Sequence, residues 1–117
     1  MKDISKTLEY KDKEYKIVFN LNVMEAIQDE YGTLDKWADL TDGGEGGEPN
    51  AKAVIFGFTQ MLNEGIDIAN EENGTNEQPL TLKQVGRMLT AIGMDAAAQT
   101  MQEAVVESTK GDDSKNE

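Results

Sequence analysis

The sequence predicts an α+β fold in which an N-terminal β-hairpin packs on a mainly helical domain of four to five helices. Three observations carry that expectation. A β-branched and aromatic run, Tyr15-Lys16-Ile17-Val18-Phe19, passes into a helical pattern at Asn20 with almost no linker. Segments with helical apolar spacing then follow one another, each opened by Thr, Asn or Asp and several closed by Gly. The chain has 117 residues with 38% hydrophobic content, enough for one core and too short for two. A single domain over residues 1–109 is expected, with flexible loops near 41–50 and 70–79 and a disordered acidic tail over 110–117.

The hairpin is read from Lys6-Thr7-Leu8-Glu9-Tyr10 and Glu14-Tyr15-Lys16-Ile17-Val18-Phe19, joined by the polar link Lys11-Asp12-Lys13. A two-stranded ribbon is marginal alone, so it must lie against helices. Ile17, Phe19, Met24 and Ile27 are the residues expected to join it to them. Leu21, Met24, Ile27 and Tyr31 recur at helical spacing, with Asn20 or Asn22 as cap and Gly32 as terminator. Thr33 caps a second short helix whose apolar side is Leu34, Trp37, Ala38 and Leu40.

The stretch Thr41-Asp42-Gly43-Gly44-Glu45-Gly46-Gly47-Glu48 holds no apolar residue and reads as a linker. Pro49 and Asn50 restart the chain into its longest apolar segment, which covers more than one face and is expected to be central. Gly57 within it costs up to about 1 kcal/mol relative to Ala, tolerable where another element approaches closely. Gly65 is expected to kink or interrupt this helix. After a polar loop over residues 70–78, Thr81-Leu82-Lys83-Gln84 matches a capping box, and Leu82, Val85, Leu89 and Ile92 form one stripe up to Gly93. Asp95 is placed to cap a last helix carrying Ala97, Ala98, Met101, Ala104, Val105 and Ser108.

Composition removes most chemistry. With no histidine and no cysteine, Ser-His-Asp and Cys-His catalytic sets and zinc sites built on those ligands are impossible. The acid pairs Glu71-Glu72 and Glu45 with Glu48 fall in loops, a poor support for carboxylate catalysis. A calcium loop aligned on Asp39 fails, because positions three and five become Thr41 and Gly43 and position 12 becomes Asn50. No enzyme, cofactor or metal site is expected. The formal net charge is -12, and between Ile17 and Leu82 the acids face only Lys36 and Lys52. Such a field disfavours nucleic-acid phosphates and anionic membranes. It suits a basic protein partner, or simply a solvated surface. The N-terminal residues are too polar for a signal peptide and no apolar run reaches a membrane span, so the protein is expected to stay where it is made.

The order Glu14-Tyr15-Lys16-Ile17-Val18-Phe19, Asn22-Val23-Met24-Glu25-Ala26-Ile27, then Tyr31-Gly32-Thr33-Leu34-Asp35-Lys36-Trp37 resembles the tail assembly chaperones of long-tailed bacteriophages and of the prophages derived from them. Leu62-Asn63-Glu64-Gly65-Ile66 and Pro79-Leu80-Thr81-Leu82-Lys83-Gln84-Val85-Gly86-Arg87 are similar to that family's middle helix and the helix start after its variable loop. The resemblance implies a non-enzymatic protein of the host cytoplasm, outside the mature virion, that binds the tape measure protein and recruits tail tube subunits. It carries over no catalytic residues. The charge also admits an acidic DNA mimic, and the family admits a structural tail component. Candidate partner-binding residues are Trp37, which either anchors an interface or plugs the core, and the adaptable stripe Met94, Ala98, Met101 and Val105.

Overall fold

A computed structural model describes residues 4–43 and 47–110. It has the α+β architecture the sequence predicts: an antiparallel hairpin followed by five helices. Strands β1 (Ile4–Tyr10) and β2 (Lys13–Phe19) pair from Ile4 opposite Phe19 to Tyr10 opposite Lys13. The link is two residues, Lys11 and Asp12, shorter than the three expected. Both have positive φ, 52° and 63°, the backbone that matches a two-residue turn to the twist of its strands.

Ile17, Val18 and Phe19 are all buried, so the end of β2 is covered on both faces. Ile17 and Phe19 enter the main core with Trp37, Phe58 and Met101. Val18, on the opposite face, shares a hollow with Gly65 and Ile66.

Helix α1 (Leu21–Tyr31) begins after a single residue, and Asn20 is its cap: Val23 N–H donates to Asn20 Oδ1 at 3.2 Å. Its buried pair is Val23 and Ile27, while Leu21 is 66% exposed. The expected stripe therefore gains Val23 and loses Leu21, which lies about 200° around the helix from Val23. Helix α2 (Leu34–Asp42), capped by Thr33, buries Trp37 and Thr41 and leaves Leu40 exposed. It reaches into the expected linker as far as Asp42. Of that linker, residues 44–46 lie outside the described residues, and Asn50 N–H returns to Leu40 O at 2.8 Å.

Helix α3 (Ala51–Asn73) is capped by Asn50 and runs unbroken through Gly65. Gly65 does not interrupt the helix and is a contact site: a Cβ there would lie 2.8 Å from the Lys16 carbonyl oxygen. At Gly57 a Cβ would lie 2.4 Å from Trp37 Cζ2 and 3.0 Å from Met101 Sδ. Helix α4 (Leu82–Ile92) opens with both bonds of the Thr81–Gln84 capping box and buries Val85, Met88 and Leu89. Helix α5 (Met94–Lys110) follows with only Gly93 between, so Asp95 sits within its first turn and not before it. The helix takes in Lys110; residues 111–117 of the expected tail lie outside the described residues.

The segment between α3 and α4, expected to be flexible, is tied to α3 by two asparagines. Asn63 donates to Leu80 O at 3.0 Å and accepts from Leu80 N–H at 2.8 Å. Asn70 accepts from Thr75 Oγ1 and Glu77 N–H and donates to Glu77 O. Residues seven apart lie on one face of a helix, so both asparagines present their amides to the same returning strand of chain.

Three glycine-to-alanine substitutions in helices should differ in sign. Gly57→Ala and Gly65→Ala each force a methyl against Trp37 or a backbone carbonyl, costing about 1–3 kcal/mol despite better helix propensity. Gly86→Ala places its methyl 3.5 Å from Ile55 Cδ1, an ordinary contact, and should gain up to about 1 kcal/mol. Urea unfolding of the three variants checks all three outcomes.

Candidate functional site

The Asn63–Leu80 bonds lay the start of α4 along α3 and leave an open groove of about 760 Å³ between the two helices. Its floor is apolar: Ile55 and Phe56 from α3, Leu82 and Gly86 from α4. Leu82 is 54% exposed, one of the large apolar side chains left in solvent. Gly86 keeps the floor low by presenting no side chain. The charged lining is Lys52 from α3, Lys83 and Arg87 from α4, and Glu30 from α1.

Phe56 meets Tyr31 edge to face at 5.6 Å between ring centroids and 73° between planes. The Tyr31 hydroxyl is buried with no hydrogen-bond partner among the described residues. Burial, and then the nearby Glu30 charge, push its phenol above the ordinary tyrosine range.

A second hollow, about 380 Å³, lies between the outer face of β2 and the C-terminal half of α3. Lys13 closes it through an ion pair with Glu77 and sits 5.1 Å from the Tyr15 ring centroid. The hydrogen bond to Glu77 holds the Lys13 ammonium above its ordinary range. With this pair and Glu14, Lys16 and Glu72 around it, the hollow offers far less continuous apolar surface than the groove.

The five residues read as partner-binding from sequence are placed mostly inside. Trp37 is 1% exposed, and its indole N–H donates to the Ala53 carbonyl oxygen at 3.0 Å. It plugs the core against the Ala53–Gly57 turn of α3, the second of its two readings. Ala98 and Met101 are buried, and Met94 and Val105 are half-buried, because α5 lays this stripe on the hairpin and on α2 and α3. None of the five lines the groove. The residues that do line it, Ile55, Phe56, Leu82 and Gly86, had one signal in the sequence: α3 is apolar on more faces than one neighbour can cover.

Among the described residues no group of three or more acidic, histidine or cysteine side chains is placed to hold a metal ion, and no helix is long and apolar enough to cross a membrane. No family model, no curated protein and no solved structure matches the chain. The largest open apolar feature among the hollows described is the α3–α4 groove, with cationic side chains beside it.

Tyr31→Phe removes an unpartnered buried hydroxyl and should leave stability equal to wild type or up to about 1 kcal/mol higher at neutral pH. A phenol raised in the folded state contributes stability that is present below its unfolded value near pH 10 and lost as pH rises through the folded value. The raised Lys13 ammonium acts in the same alkaline direction through its Glu77 pair. Urea unfolding between about pH 8 and 11 should show a shallower alkaline loss for Tyr31→Phe, with a residual slope that remains.

Proposed function

We propose that this protein is a non-enzymatic assembly chaperone for the tails of long-tailed bacteriophages, acting in the host cytoplasm and leaving before the virion is mature. It binds the tape measure protein and recruits tail tube subunits around it. The observation that carries this reading is the open groove between α3 and α4, whose α4 wall takes Leu82, Lys83, Gly86 and Arg87 from the segment 79–87 that carries part of the family resemblance. An apolar trough of this kind accepts an amphipathic helix, and covering such a helix prevents its aggregation.

Two other segments of the resemblance hold the elements that form the groove. Residues 62–66 include Asn63, which anchors Leu80, and Gly65, which seats β2. Residues 31–37 include Tyr31, in edge-to-face contact with Phe56, and Trp37, against α3. The net charge of -12 keeps a chaperone–client complex in solution and attracts basic client segments outside the groove.

Co-expression with the tape measure and tube proteins of the phage or prophage that encodes this chain provides the test. The expected result is co-elution at low salt and a tape measure protein that precipitates when the chain is omitted. Leu82→Asp, at an exposed position on the groove floor, should weaken the association about tenfold or more while leaving the fold intact. No association at low salt by the wild-type chain would overturn the reading.

A further inference from the structure

Cations are scarce in this chain and unevenly placed. Between Trp37 and Thr109 the sequence holds twelve acidic residues and three cations, Lys52, Lys83 and Arg87. All three cations rim the α3–α4 groove, and a single acid, Glu30, lines it with them. No ion pair among the described residues engages any of the three. Lys83 and Arg87 are four residues apart, one turn above the other on the same face of α4, and Lys52 stands across the apolar floor on α3.

We infer that the groove docks an amphipathic protein helix whose apolar stripe is flanked by carboxylates. This rests on the reading of the groove as a partner-binding site, and it names the chemistry of the segment that enters. A helix laid along Ile55, Phe56, Leu82 and Gly86 places its two flanks under Lys52 on one side and under Lys83 and Arg87 on the other. The opposing field of the acidic body is the competing effect. At about 0.15 M salt the Debye length is about 8 Å, so acids farther than this are largely screened while rim charges in contact with the helix are not. The local rim then decides the sign.

The probe is a fluorescein-labelled amphipathic peptide of about 16 residues, roughly 24 Å as a helix, with leucines at i, i+3, i+4 and i+7. One version carries glutamates on both flanks and the other lysines. By fluorescence anisotropy at about 0.15 M salt, the glutamate version should bind about tenfold or more tightly than the lysine version and shift the Gly86 amide resonance. Lys83→Glu with Arg87→Glu should reverse the preference. Lys11→Glu with Lys36→Glu makes the same change in net charge outside the groove and should leave glutamate-peptide binding within about twofold. Circular dichroism checks that the variants fold, and Lys83→Gln with Arg87→Gln provides a milder pair that should abolish the preference.

A lysine-peptide preference, equal binding, no binding, or glutamate-peptide binding that survives the charge reversal would overturn the inference. So would self-association of the chain that the reversal abolishes, since the occupant would then be a second copy. Loss of tape measure association by the wild-type chain bears on the proposed function alone, because the peptide assay is read without that partner.

Discussion

Helix α3 can lie where it does only because two of its residues have no side chain. Gly57 admits the edge of Trp37 and the sulfur of Met101, and Gly65 admits the backbone of β2 at Lys16. These sites are eight residues apart on one continuous helix, about 12 Å, so a single element is held against the helical layer at Gly57 and against the hairpin at Gly65. The Trp37 N–H bond to the Ala53 carbonyl satisfies the polar tip of the largest buried side chain at the same contact. Close packing makes such an arrangement intolerant of added volume.

The polar groups of α3 extend this control to the chain around it. Glu64 accepts from Asn20 Nδ2 at 2.8 Å and from Asn22 Nδ2 at 3.0 Å, gripping the junction between β2 and α1. Its neighbour Asn63 grips the entry to α4. The strand-to-helix junction and the start of α4 are therefore set from adjacent residues of one helix. Lys6 adds a tie from β1 to Glu107 of α5 at 3.4 Å, the half-buried link that closes the hairpin onto the last helix. The groove is what remains along α3 where α4 approaches without covering Ile55 and Phe56.

Charge and apolar surface are thus segregated in this molecule. The carboxylates keep the body in water, and the three cations between Trp37 and Thr109 gather where apolar side chains meet solvent. A lysine or arginine at the edge of an apolar floor can lay its aliphatic stem along the floor and keep its charge in water. The groove therefore combines an apolar centre open to solvent with charged side chains beside it.

Local features were readable from sequence because they depend on residues a few positions apart. The hairpin, the cap at Thr33 and the Thr81–Gln84 box needed no knowledge of the fold. The close approach at Gly57 was readable as a need, and its occupant, Trp37, was not. Periodicity says which residues share a helix face and leaves open which face a neighbour will cover, so Leu21, Leu40 and Leu82 were read as interior and lie in solvent. For the same reason Trp37 and Met101 were candidates for a partner and lie in the core, while Ile55 and Phe56 line the groove. By itself the sequence determined the order and kind of the elements, several of their caps and the absence of histidine and cysteine chemistry. Tertiary packing alone decided which apolar faces remain open, because burial is a property of pairs of elements distant along the chain.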